Sequence, residues 1–177
     1  MSIVKNLFIS LGLAIAISFA FSFSPGCKVS YGFREKTSIP DSVKTVNIHI
    51  IENHARYQNT QLSPRLTERL RLKITNLTHL TQTTSDNANW DVSGQITDYS
   101  VSTSGVSDKQ ASINRLTISV TMLLDRKNPE LQDNPVTVTH SFDFSANLTL
   151  QQAEAQLMDE IVRQLTDEIY NNLFQRW

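Results

Sequence analysis

One cysteine, five glycines and five prolines in 177 residues leave no material for a disulfide scaffold, a collagen-like chain or a Pro/Gly-rich disordered one. Charge of one sign is missing too. Sixteen Lys+Arg stand against 17 Asp+Glu, a formal net charge of -1, so there is no overall basic field to hold a nucleic-acid backbone. His49, His54, His79 and His140 are scattered with no pair at metal-ligand spacing, which argues against a metal site. There is no G-x-S-x-G, no Walker loop and no G-x-G-x-x-G. The paired carboxylates Asp159-Glu160 and Asp167-Glu168 fall on the polar side of the last helical pattern, where a solvated face is the simpler account. These absences lead to the expectation of a non-enzymatic protein without cofactor or metal.

What is present begins at the N-terminus. Lys5 precedes an uncharged run of 17 residues, Leu7 to Phe23, followed by Ser24-Pro25-Gly26-Cys27. A bilayer-spanning helix takes about 20 apolar residues. The run therefore reads as an export signal, with a small residue and a helix breaker at its end as cleavage sites have. The lone cysteine directly after Gly26 resembles the lipobox of bacterial lipoproteins. That resemblance implies that the Cys27 thiol takes a diacylglyceryl group and that the preceding peptide bond is cut. Each buried methylene adds about 0.8 kcal/mol, so two or three acyl chains tether a domain nearly permanently. Lys28 follows the cysteine and no acidic cluster precedes Glu35. By resemblance to known sorting signals, this places the protein on the periplasmic side of an outer membrane. The expected division is residues 1–26 as signal peptide, 27–42 as lipidated tether and 43–177 as one domain.

Within that domain, Val43 to Ile51 alternates Val46, Ile48 and Ile50 with Thr45, Asn47 and His49, the pattern of a half-buried strand. Leu62-Ser63-Pro64 reads as a helix start, with Ser63 as N-cap and Pro64 as first helical residue, ahead of Leu66, Leu70, Ile74 and Leu77. A short strand is expected around His79 to Thr83. Three strands follow, carried by Trp90, Val92 and Ile96, then by Leu116 through Leu124, then by Val136, Val138, Phe142 and Phe144. Linkers at Ser102 to Ala111 and Asp125 to Pro135 join them. Thr149-Leu150-Gln151-Gln152 is a capping-box pattern, and Ala153, Leu157, Ile161, Leu165, Ile169 and Leu173 form a stripe behind it. The expected fold is α+β, in the order β-α-β-β-β-α, with two helices packed on one face of a mostly antiparallel four-stranded sheet.

The other sheet face is rich in hydroxyls. Sixteen of the sixty residues from Trp90 to Thr149 are Ser or Thr. The outward positions Ser93, Gln95, Thr97, Thr117, Ser119, Thr121, Thr137, Thr139 and Ser141 carry hydroxyls or amides. A solvated face more usually carries Lys and Glu. Two readings stand open: threonine simply suits strands, or this face docks against another polar surface. Arg65, Arg69, Arg71 and Lys73 form either the solvated face of the first helix or a contact for anionic headgroups. Arg115, Arg126 and Lys127 lie near strand ends or in a loop, where they can meet phosphate by paired hydrogen bonds.

A set of short elements, in order, carries a resemblance. They are Gly26-Cys27 followed by Tyr31-Gly32-Phe33, the Thr37-Ser38-Ile39-Pro40 tether before Val43-Lys44-Thr45-Val46, Asn59-x-x-Leu62-Ser63, Gly94-Gln95-Ile96-Thr97-Asp98-Tyr99, Asn114-Arg115-Leu116-Thr117-Ile118, and a closing helix ending in Trp177. Together they resemble the LptE family of lipopolysaccharide-assembly lipoproteins, in the form found in Bacteroidetes. The resemblance implies a plug inserted in the lumen of LptD, the outer-membrane β-barrel that delivers lipopolysaccharide to the outer leaflet. It also implies help in barrel assembly and contact with lipopolysaccharide, for which Arg115, Arg126 and Lys127 are the candidates here. The alternative is a stand-alone periplasm-facing lipoprotein that binds a small or glycan ligand in a cleft between helices and sheet.

Overall fold

A computed structural model describes residues 39–104, 113–128, 130 and 133–175 of the chain. In chain order the elements are β1 (Thr45–Ile48), β2 (Glu52–Asn53), α1 (Leu62–Leu77), β3 (Thr81–Gln82), β4 (Trp90–Ser104), β5 (Ile113–Asp125), β6 (Val136–Ser145) and α2 (Leu150–Phe174). The segments expected as signal and lipidated tether lie outside the described residues up to residue 38, Cys27 included. The α+β class and the four main strands are as expected, but among the described residues the sheet has six strands rather than four. Its path runs β3-β1-β4-β5-β6, with β2 also on β4. Of the two additional strands, β3 is the short one expected around His79 to Thr83, and β2, also of two residues, is too short to show a period of two. β1 runs parallel to both β3 and β4, whereas β4, β5 and β6 are antiparallel.

β5 is the most regular strand. Leu116, Ile118, Val120, Met122 and Leu124 are all buried and the residues between them are not. Both helices cover that face, and the buried apolar side chains, Ala88 apart, form one core. Trp90 meets Phe174 with ring centroids 6.2 Å apart, and Phe174 stacks on Tyr170 at 5.2 Å. On β4 a Cβ on Gly94 would stand 2.2 Å from Met122 Sδ, so a larger residue there would displace the methionine side chain that fills its place in the core.

The alternation fails at two places, and both have the same cause. Between β1 and β2 the pairing passes from Ile48 opposite Val92 to Glu52 opposite Gln95, so four steps on one side match three on the other. The extra residue inverts the phase: Ile50, expected in the core, is 64% exposed and Ile51 is fully buried. On β4 the register slips between Ile96 and Asp98, leaving Thr97 unopposed. Inward positions thus pass from even numbers (Trp90, Val92, Ile96) to an odd one, Tyr99. A bulge of this kind adds one residue and switches the faces of everything after it.

The break at Ile51 is secured from α1. Ile51 N–H donates to Thr67 Oγ1 at 3.0 Å, Ser63 Oγ donates to the Ile51 carbonyl at 2.5 Å, and Arg71 Nη2 donates to the Ile48 carbonyl at 2.8 Å. Ser63, Thr67 and Arg71 are four residues apart, so they form one stripe of the helix. Buried backbone polar groups must find partners, and here the helix supplies them where the ladder is interrupted. Ser63 is accordingly not the N-cap. Asn59 Oδ1 accepts from the N–H groups of Gln61 and Leu62 at 2.9 and 3.1 Å, and the helix starts at Leu62. The core stripe of α1 is Leu62, Leu66, Leu70 and Ile74; Leu77 is 53% exposed, because the next position on that stripe is Thr78.

At α2 the capping box is present, with Gln152 N–H on Thr149 Oγ1 at 3.3 Å and Thr149 N–H on Gln152 Oε1 at 2.9 Å. The stripe is buried as read, except that Leu157 is only partly so. A second buried stripe lies beside it: Glu154, Met158, Val162, Thr166, Tyr170 and Phe174. The helix is therefore buried on a wide face, against both the sheet and α1. The first linker is shorter than expected, since Ser102, Thr103 and Ser104 pair with Arg115, Asn114 and Ile113.

Candidate functional site

The sheet face opposite the helices is built in rows by the antiparallel register. Gln95, Thr121 and Thr137 form one row, Asp98, Ser119 and Thr139 the next, Ser100, Thr117 and Ser141 the third, and Ser102, Arg115 and Asp143 the last. Hydroxyls on β5 and β6 share a hydrogen bond in each of the three inner rows: Thr121 with Thr137 at 2.9 Å, Ser119 with Thr139 at 2.9 Å and Thr117 with Ser141 at 3.0 Å. Ser100 Oγ donates to Asp98 Oδ2 at 2.8 Å on the same face. These side chains are half-buried or exposed. Every residue read as outward from the sequence lies on this face or at its bulge. The result is a ladder of mutually satisfied hydroxyls, with Asp98 the only charge in the three inner rows. At the end of the face toward Asp125, Ile50, Leu123 and Pro135 help line a shallow depression of about 500 Å³.

The three basic candidates do not form one cluster. Arg115 and Arg126 are eleven residues apart along β5 and its end, about 37 Å at roughly 3.4 Å per residue. Arg115 makes a two-pronged pair with Asp143, Nε to Oδ1 at 2.7 Å and Nη2 to Oδ2 at 2.9 Å. That pair holds the Asp143 carboxyl below its ordinary range and the guanidinium above its own. Arg126 pairs with Asp133, whose Oδ2 also accepts the Arg126 backbone N–H at 2.7 Å. Lys127 Nζ meets Asp91 Oδ2 at 2.6 Å and donates to the Asp86 carbonyl at 2.6 Å. Lys127 sits in the left-handed region, φ 50°, in a turn where its N–H donates to Asp125 Oδ1 at 2.8 Å. Burial pushes the Asp91 carboxyl up, but hydrogen bonds from Lys127 and His49 outweigh this and leave it below its ordinary range.

On α1 the basic run is mostly absorbed by structure. Arg65 pairs with Asp159 at 3.2 Å and Lys73 with Asp167 at 2.6 Å, both across to α2. Arg71 serves the Ile48 carbonyl. No group of three or more His, Cys, Asp or Glu able to hold a metal ion occurs among the described residues. No helix among them is long and apolar enough to cross a membrane.

One functional candidate escaped the sequence reading. Glu154, 7% exposed, accepts from the Tyr99 hydroxyl at 2.6 Å and from the Tyr57 hydroxyl at 3.3 Å. Burial, then the carboxylate, raises both phenols above their ordinary value, so both stay protonated donors. The available signal was the second four-residue stripe of α2, in which Glu154 is the only charge.

A family model described as LptE, lipopolysaccharide-assembly, matches residues 43–173. No curated protein matches. Among solved structures the chain is similar to a minor lipoprotein from Acinetobacter baumannii, at 18% identity and TM-score 0.45 over 75% of this chain and 97% of that one. It is similar to rare lipoprotein B from Shewanella oneidensis, at 18% identity and TM-score 0.42 over 72% and 92%. It is similar as well to a protein described as a neuraminyllactose-binding hemagglutinin homolog from Helicobacter pylori, at 12% identity and TM-score 0.54 over 81% and 89%. The last likeness is one of fold. The family match runs from just before β1 to the final turn of α2 and so takes in every element described above. This chain belongs to the LptE family, the non-enzymatic lipopolysaccharide-assembly lipoproteins of the outer membrane.

Proposed function

We propose that this LptE-family protein is anchored by an acylated Cys27 on the periplasmic side of the outer membrane and occupies the lumen of an LptD-type β-barrel, where it assists barrel assembly. Residues 1–26 then serve as signal and 27–42 as tether. The observation that carries this reading is the hydroxyl ladder of β5 and β6. The interior of a transmembrane barrel is polar. A face of hydroxyls, each able to donate and to accept, meets either kind of group without stripping water from an ion. A face of Lys and Glu would have to desolvate charges to make the same contact.

Contact with lipopolysaccharide phosphates through Arg115, Arg126 and Lys127 is part of the proposal. A guanidinium has five N–H donors, and Asp143 takes two of those on Arg115, so a phosphate can be added without breaking the pair. The separation along β5 makes Arg115 and the Arg126-Lys127 pair two distinct contact points.

The test is a mild-detergent pull-down of tagged full-length protein from its own outer membrane, wild type against Cys27→Ala, with the copurifying proteins identified by mass. A stoichiometric large β-barrel with wild type, and less of it with Cys27→Ala, is expected. A folded, lipidated protein that brings down no barrel overturns the proposal and favours the stand-alone ligand binder.

A further inference from the structure

The loop at residues 57–61 and the first turns of α1 and α2 enclose a cleft of about 590 Å³, lined among others by Tyr57, Gln61, Arg65, Gln151, Glu154 and Asp159. It holds two carboxylates and one guanidinium. Arg65 is already on Asp159, at 3.2 Å. Glu154 is met only by neutral donors, the hydroxyls of Tyr99 and Tyr57, and no cation among the described residues touches it. A carboxylate that is nine-tenths buried with no compensating cation is costly, and its two oxygens offer about four lone-pair positions, of which the tyrosines occupy two. Tyr57, whose ring lies 5.2 Å from that of Tyr99, remains 39% exposed at the same cleft. A tyrosine ring next to a carboxylate is a setting that attracts an organic cation.

We infer that this cleft binds a primary ammonium group carried on a hydroxylated body of about monosaccharide size. The ammonium neutralises Glu154 and takes up its free lone pairs. The amides of Gln61 and Gln151, both exposed, both donate and accept, as hydroxyl groups require. A neutral polyol would leave the carboxylate uncompensated, which is why the charge and not the hydroxyls is assigned the leading part. This site lies at the start of α2 and does not depend on insertion into a barrel, so the pull-down described above and the titration described next can fail separately.

The experiment is calorimetric titration of the full-length lipoprotein in detergent micelles with glucosamine, glucose and N-acetylglucosamine, below the pKa of the free amine. Saturable binding of glucosamine alone is expected, at least tenfold weaker in Glu154→Gln. Equal binding of all three sugars, or of none, overturns the inference. Because Glu154 also ties α2 to β4, a second variant guards against simple misfolding. Gln151→Arg, at an exposed position on the rim, puts a competing cation at the mouth. It is expected to abolish binding with the melting temperature unchanged, and retained binding in that folded variant overturns the inference as well.

Discussion

The Tyr99 hydroxyl donates to Glu154 Oε1 at 2.6 Å across 55 residues of sequence, and so fastens the longest strand to the opening of the closing helix. Tyr99→Phe leaves a buried carboxylate short of a donor and is expected to cost about 1–3 kcal/mol, read from the urea midpoint. Tyr57→Phe removes the longer, partly exposed bond and is expected to cost less than about 1 kcal/mol. Equal losses would mean that the bond to Tyr99 is not what secures the helix.

Thr67 is 2% exposed and its hydroxyl both accepts from Ile51 N–H and donates to the Ser63 carbonyl at 2.8 Å. Thr67→Val keeps the shape and strands the buried Ile51 N–H, at an expected cost of about 1–3 kcal/mol in equilibrium unfolding. Thr67→Ser retains the oxygen and should lose less than half of that. A valine variant as stable as wild type would show that water, not the helix, satisfies the break between β1 and β2.

On the hydroxyl ladder, stability and association should separate. Ser119→Lys lies on the half-buried outer face and is expected to change unfolding free energy by no more than about 0.5 kcal/mol. Copurification of the barrel should nevertheless fall several-fold, because a lysine ammonium must be desolvated at that contact. Undiminished copurification with a folded variant would move the contact to another surface.

Asp91 is held below its ordinary value of 3.8 through hydrogen bonds from Lys127 and His49 that outweigh its burial. A carboxyl lowered in the folded state contributes stability above its unfolded pKa and loses it as pH falls through the folded one. Wild type should therefore lose stability more steeply than Asp91→Asn as pH falls from about 4 downward. Parallel acid limbs in thermal melts of the two proteins would remove Asp91 from the account.

Much of this was legible in the residues. Leu116 to Leu124 alternates without interruption and forms a strand with one buried face. Thr149 with Gln152 caps α2 as their spacing indicates, and the same alternation that buries Leu116 puts Thr117, Ser119 and Thr121 on the outside. Ile50 and Leu77 are the instructive departures. Both continue a local pattern, and both are exposed because a neighbouring strand or the helix end ended that pattern. Ser63 has the residue type and position of an N-cap for α1, but its hydroxyl serves the Ile51 carbonyl, twelve residues upstream.

The sequence by itself determined the α+β class, the order of the main elements and the hydroxyl-rich face, because each of these follows from side chains a few residues apart that must share a face. Only the tertiary structure decided where the faces exchange, at Ile51 and Thr97, and that Glu154 meets Tyr57 and Tyr99. Only there, too, are the basic residues seen to serve separate carboxylates. Those outcomes depend on which distant backbone or charge lies opposite, and no periodicity within a segment encodes its partner.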